Sequence, residues 1–199
     1  MMIPLTYFQT DDVLYLSRDL LGKFIFTCHN NLVTGGMIVE TEAYRAPEDK
    51  ASHAYNLKRT KRNEVMYNQG GCVYVYLCYG IYPLLNVVTN QQGIPHAILI
   101  RAIEPLIGIE TMLQRRSKTK VERSLTAGPG MLSIALGVTT EMNGLLLTGP
   151  QIWIEDRAVN FSEEAILTSP RVGIDYAQEH AQLPWRFRIK NHPFTSPAK

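Results

Sequence analysis

The feature that most constrains this chain is the recurrence of short β-rich runs with no long linker between them. "KFIFTC", "GGMIVETEAY", "CVYVYLCYG", "LLNVVTN", "HAILIRAIE" and "QIWIED" are apolar, rich in β-branched and aromatic residues, and bounded by turn-forming residues. Helical patterns are few. Thr10 is placed to cap a helix through "DDVLYLSRDLL", whose Val13, Leu16, Leu20 and Leu21 form one apolar stripe ended by Gly22. A second helix, "PLIGIETMLQRR", is expected from Pro105. A third is expected in "GPGMLSIALG", with Pro129 in its first turn and Gly137 at its end. The pattern predicts an α/β (α+β) fold built on a mixed, largely antiparallel sheet. No repeat or low-complexity tract divides the chain, and 199 residues with 45% hydrophobic side chains fit one domain, 1–199, with a sizeable core.

Composition excludes several classes of function. Cys28, Cys72 and Cys78 are odd in number and form no C-x-x-C pair, which argues against a disulfide framework and a structural zinc site. The N-terminus has no basic segment leading into an apolar one, and no stretch approaches the ~20 apolar residues of a membrane span. A soluble, intracellular monomer in a reducing compartment is expected.

Charge is nearly balanced, 20 Lys+Arg against 18 Asp+Glu, so local clusters decide what the surface attracts. Lys58, Arg59, Lys61 and Arg62 form one cluster, "LKRTKR". "RRSKTKVER", from Arg115 to Arg123, forms a second, and "RFRIK" is expected to carry Arg186, Arg188 and Lys190 on one face of an extended segment. Each alone can be solvated surface. Three such patches in a nearly neutral chain imply an uneven field that suits a phosphate backbone.

Chemistry concentrates in "MIVETEAYRAPEDKASHAY", Met37 to Tyr55. Strand alternation places Glu40, Glu42 and Tyr44 on one face, with the two glutamates about 7 Å apart. Either both carboxylates face solvent, or they form a pair of the kind that hydrolyses glycosidic bonds, one as acid and one as base. The polar loop that follows brings His53 towards the same face. In "YVYLCYGIYPLLNVV", Tyr74, Tyr76 and Cys78 alternate with Val75, Leu77 and Tyr79, and Gly80 supplies a turn before a strand carrying Asn86. Tyr74 and Tyr82 are read as sheet packing. Tyr79 at a projecting hairpin tip suits a wedge between stacked bases instead.

"VETEAYRAPEDKASHAY", "TKRN", "YVYLCYGIYPLLNV", "ILIRAIEPL" and "RVGIDYA" together, in this order and over nearly the whole chain, resemble the alkyladenine DNA glycosylase family, the 3-methyladenine DNA glycosylases of the AAG/MPG type. The resemblance implies a single α/β domain with a curved antiparallel sheet, acting on damaged purines in double-stranded DNA. It implies that Glu42 is the general base that activates a water, that Arg101 helps hold this water, and that the carbonyl of Val172 is a third water ligand. Tyr44, His53 and Tyr76 would wall the pocket for a flipped base, Asn86 would crowd the purine 2-position, and Tyr79 would fill the gap left in the duplex. Glu40 has no counterpart with a catalytic role, and Ile81 stands where methionine is the family's pattern. The implied reaction is monofunctional release of alkylated purines such as 3-methyladenine and 7-methylguanine, with hypoxanthine and ethenoadenine as further candidates. It needs no metal or cofactor. A DNA-binding domain without chemistry is the alternative, and it would have no use for Glu42 and Arg101 together.

Overall fold

The computed structural model describes residues 1–197, so the last two positions of the expected 1–199 domain lie outside the described residues. Eight strands form one sheet: β1 Phe24–His29, β2 Leu32–Arg45, β3 Val73–Cys78, β4 Tyr82–Thr89, β5 His96–Ile107, β6 Ile152–Glu155, β7 Ile166–Ser169 and β8 Arg186–Ile189. The main path runs β3-β4-β5-β2-β1-β6, with β8 paired to β2 and β7 to β8. Every strand pairing is antiparallel, so the mixed component expected from sequence is absent among the described strands.

The longest strand, β2, organises the rest. It pairs with β1 and β5 and, beyond Val39, with β8 through Glu40, Thr41 and Glu42. Such a strand is buried on both faces: from Thr34 to Ala43 every residue but Met37 is buried, Glu40 and Glu42 included. Helices α1 Val13–Asp19 and α3 Pro129–Leu136 pack on the apolar core formed with Ile38, Val39, Leu85, Ile98, Ile100 and Ile103. The Thr41 hydroxyl donates to the Ser17 carbonyl at 2.7 Å and ties β2 to α1. That bond fixes which face of β2 belongs to the core and leaves Glu40, Glu42 and Tyr44 for the other face.

Two helix starts differ from the sequence reading. Asp12, not Thr10, caps α1, accepting from the Tyr15 amide at 2.8 Å. Asp12 directly precedes the first helical turn, and its carboxylate favours the positive end of the helix dipole. Strand β5 continues through Pro105 to Ile107, so α2, Ile109–Arg115, begins after Gly108 and not at Pro105. Gly108 takes φ 71°, and a Cβ there would meet the Val33 carbonyl at 2.2 Å, so this turn requires glycine. Helix α3 begins on Pro129 and ends at Gly137 with φ 69°, as expected. No helix of the described residues is long and apolar enough to cross a membrane.

Candidate active site

Sheet register assembles the site. Glu42 on β2 pairs with Leu99 on β5, Leu99 with Asn86 on β4, and Asn86 with Tyr74 on β3. One row across four strands thus carries three residues that line a cavity of about 660 Å³, Leu99, Asn86 and Tyr74, with Glu42 at its end. Register shifts place one extra residue, Val39, on β2 and a compensating one, Arg101, on β5. Bulges re-aim side chains. Here Arg101 comes between the two glutamates, its Nε donating to Glu40 Oε1 at 2.8 Å and its Nη1 lying 3.2 Å from Glu42 Oε1.

Both glutamates are fully buried, which removes the solvent-facing reading. They also do not flank a substrate gap as a hydrolytic pair. Glu40 Oε1 accepts from Arg101 Nε and Arg186 Nε at 2.8 Å each and from the Ser196 hydroxyl at 2.6 Å, while Oε2 accepts from the Ser196 amide at 2.6 Å. Burial alone would push the Glu40 carboxyl up. Arg101, Ser196 and Arg186 outweigh it and hold the group below the usual carboxylate range, so it is a fixed anion. Arg186 is therefore not part of an outward basic face with Arg188 and Lys190. It is 1% exposed and neutralises Glu40, because an unpaired carboxylate at that depth is too costly.

Glu42 is held differently. Its Oε1 accepts from the Val172 amide at 2.8 Å, and its Oε2 accepts from the Tyr44 hydroxyl at 2.9 Å. The tyrosine is a weak acid here, since burial and the adjacent Glu42 raise its pKa well above the ordinary value. Burial pulls the Arg101 guanidinium down, but Glu42 and Glu40 outweigh it and raise it, so Arg101 remains a cation.

Aromatic rings form the walls above. The His53 and Tyr76 rings meet edge to face at 4.6 Å, and Tyr74 and Tyr76 lie 5.5 Å apart with a 30° tilt. His53 Nδ1 and the Tyr74 hydroxyl are 2.8 Å apart. Tyr74 is therefore more than sheet packing: it lines the cavity and orients His53. Burial, then the nearby Arg62 charge, lowers the His53 pKa to about 4, so its imidazole is neutral at pH 7. Asn86 spends its amide nitrogen on the Tyr74 and Leu84 carbonyls at 3.1 and 3.2 Å, which leaves its oxygen as the unbonded end in the cavity wall. Tyr82 does pack, its ring closing on the start of α3 at Gly130.

The hairpin β3–β4 projects beside this cavity. Tyr79 and Gly80 take φ 52° and 70°, the pattern of a type I′ turn, closed by the Ile81 amide donating to Cys78. Tyr79 is 89% exposed and Ile81 67%, so the tip carries two apolar side chains into solvent. Lys58, Arg59, Lys61 and Arg62 are exposed on a neighbouring loop. Arg59 is paired with Glu64 at 2.6 Å, and Arg62 lies over the Tyr76 ring. Much of the second basic stretch is tied to the protein itself: Arg115 donates to Thr34 and Ala135, Arg116 to Leu125 and Ser124, exposed Arg123 to Pro193, and Lys118 pairs with Glu122.

Three supports were missed by sequence reasoning. Arg171 makes a two-point contact with Asp49, donates to the Ala43 carbonyl at 2.9 Å, and sits 4.8 Å from the Tyr44 ring centre. It joins the Val172 segment to Tyr44. Asn63 donates to the carbonyls of His53 and Lys58 at 2.8 and 2.7 Å, pinning the basic loop against the cavity. Ser196, 156 residues from Glu40 in sequence, closes the network around it. Residues so distant in sequence leave no local signal.

A buried carboxylate beside a fixed arginine thus lies beneath aromatic walls and next to a projecting apolar tip. A family model described as methylpurine-DNA glycosylase matches residues 7–193. Proteins named "Putative 3-methyladenine DNA glycosylase" in Chlamydia felis and Chlamydia abortus are each 50% identical, over 94% and 96% of this chain and 96% and 100% of theirs. One of the same name in Bacillus cereus is 42% identical over 98% of this chain and 99% of its own. The chain belongs to the methylpurine-DNA glycosylase family and is a DNA glycosylase.

Proposed function

We propose that the protein flips alkylated purines, 3-methyladenine and 7-methylguanine foremost, out of duplex DNA and hydrolyses their N-glycosidic bond, starting base excision repair. Glu42 takes one proton from a water whose oxygen bonds to the sugar C1′. The C1′–N bond breaks with its electron pair going to the purine, which leaves as a neutral molecule because methylation had made it cationic. The carbonyl of Val172 and the guanidinium of Arg101 hold the water beside Glu42. Among the described residues no lysine lines the cavity to attack C1′, so the base is released and the DNA strand keeps an uncut abasic site.

The observation that carries this reading is Glu42 itself, a buried carboxylate that accepts a single hydrogen bond on Oε2, from Tyr44, and so keeps a lone pair there for a proton. The walls supply selectivity. A cationic purine between Tyr44, His53 and Tyr76 gains roughly 0.5–2 kcal/mol per aromatic face, which a normal purine does not. The neutral His53 adds no charge to repel it. Damaged pairs are also easier to unstack, which favours them before any chemistry. Hypoxanthine and ethenoadenine, being neutral, leave only with protonation or strong hydrogen bonding and should be slower.

The test is Glu42→Gln, which keeps shape but cannot take the proton. Single-turnover release of 7-methylguanine should fall ~10²–10⁴-fold while lesion-duplex affinity holds. Release at near wild-type rate would remove Glu42 from the chemistry.

A further inference from the structure

Glu40 has no part in that reaction, yet it accepts hydrogen bonds from four donor groups on three residues at the edge of the site. Two of those residues, Arg186 and Ser196, are far from it in sequence, and Arg186 in turn donates to the Ser196 carbonyl and hydroxyl at 3.2 and 3.1 Å. The C-terminal segment is thereby strapped across β8 onto β2. The third donor is Arg101, the cation beside the general base.

We propose that Glu40, held by Arg186 and by Ser196 of the C-terminal strap, is a positioning residue that fixes the plane of Arg101 and keeps it from closing a two-point fork onto Glu42. The idea rests on the reading of Glu42 given above. A guanidinium and a carboxylate within reach favour a bidentate fork with N–O distances near 2.7–2.9 Å. Arg171 and Asp49 form one in this molecule. Arg101 and Glu42 do not: the shortest approach, from Nη1, is 3.2 Å, and the Nε bond to Glu40 sets the guanidinium plane and so the direction in which Nη1 and Nη2 point. A closed fork would occupy Glu42 lone pairs needed for the water proton and turn the remaining Arg101 N–H groups away from the water. Charge is balanced by the same arrangement, two carboxylates against two guanidiniums in one buried cluster. Glu40 and the strap hold the fork open.

The test uses the full chain and three measurements: single-turnover excision of 7-methylguanine, affinity for the lesion duplex, and melting temperature. Glu40→Gln is combined with Arg186→Gln, which removes one charge of each sign and leaves no surplus arginine inside. Excision should fall on the order of 10–100-fold, the scale of a small misplacement of a catalytic group, with affinity within about twofold. Ser196→Ala should fall in the same direction, and Ser196→Thr, which keeps the hydroxyl, should restore the rate. A folded double variant that excises within twofold of wild type overturns the proposal, as does a loss of rate that Ser196→Thr fails to restore. If the double variant does not fold, Ser196→Ala decides by the same criterion. Glu42→Gln in the same assay separates the two ideas: a wild-type rate there overturns the role of Glu42, whereas an inactive Glu42→Gln beside fully active Glu40 and Ser196 variants overturns positioning alone.

Discussion

The guanidinium of Arg62 lies 4.8 Å from the centre of the Tyr76 ring, at the mouth of the cavity that both residues line. The same ring is proposed to meet a cationic purine, so the two cations compete for one aromatic face. An exposed contact of this kind is worth ~0.5–1 kcal/mol. Arg62→Gln should therefore raise excision of cationic 7-methylguanine relative to neutral hypoxanthine by about two- to fivefold. The ratio is read from bases released by the two duplexes in parallel. An unchanged ratio with a shallower salt dependence would make Arg62 a phosphate contact only.

Lys58 and Lys61 are exposed, and no carboxylate pairs with them among the described residues, whereas Arg59 is neutralised by Glu64 at 2.6 Å. Lys58→Glu and Lys61→Glu should each weaken binding to damaged and undamaged duplex alike and flatten the salt slope by about one unit. Arg59→Gln should do less. Titration of binding against salt concentration distinguishes the three, and a lesion-specific loss at either lysine would contradict a backbone contact.

Asp49 and Arg171 are both buried, and their pairing ties the loop after β2 to the Val172 segment. Breaking such a pair leaves an uncompensated charge inside, at ~3–5 kcal/mol. Asp49→Ala should lower the melting temperature accordingly. Excision per folded molecule should fall as well, because the Val172 amide would lose its register with Glu42. A variant that melts like the wild type would show that the pair contributes little.

Acid should destabilise the fold through its buried imidazoles. Burial lowers His96, like His53, from the ordinary 6.5 to about 4, so the folded form resists protons that the unfolded chain accepts. The sign follows: stability is complete above about pH 6.5 and is lost as pH falls towards 4. His96→Gln removes one titrating group, and its melting temperature should depend less on pH over that interval. A profile parallel to the wild type's would exclude His96 as a source of the acid sensitivity.

Much of this was legible in the chain because the information is local. Alternation on β2 holds from Glu40 to Tyr44, and Pro129 and Gly137 mark α3 unambiguously. What stayed hidden depends on contacts across the fold. The bulges at Val39 and Arg101 have no sequence signature, yet they decide that Arg101 meets both glutamates. Arg186 looks like a surface cation in "RFRIK" until Glu40 is seen beneath it. Tyr74 reads as packing until His53 arrives from a loop 21 residues away. A buried polar partnership is written half in each partner, and neither half is distinctive alone.

Tyr79 is where a packing role and a wedge role make opposite predictions. A buried tyrosine cut to alanine leaves a cavity and costs ~3–5 kcal/mol. Tyr79 is 89% exposed, and the backbone around Gly80 is so open that a Cβ there would touch nothing within 4 Å. Tyr79→Ala should therefore melt within a degree or two of the wild type, in keeping with the small effects of surface substitutions. The loss should appear in the flipping equilibrium, because an extruded base returns faster when nothing fills its place in the stack. Excision from duplex should fall several-fold, and excision from single-stranded DNA, which has no stack to refill, should change little. Ile81, 67% exposed on the same tip, gives an internal comparison. Ile81→Ala should weaken duplex excision by less than Tyr79→Ala, since an aliphatic side chain stacks less well between bases. Equal losses on duplex and single strand, accompanied by a large drop in melting temperature, would assign Tyr79 to the fold and leave the duplex gap to be filled by another group.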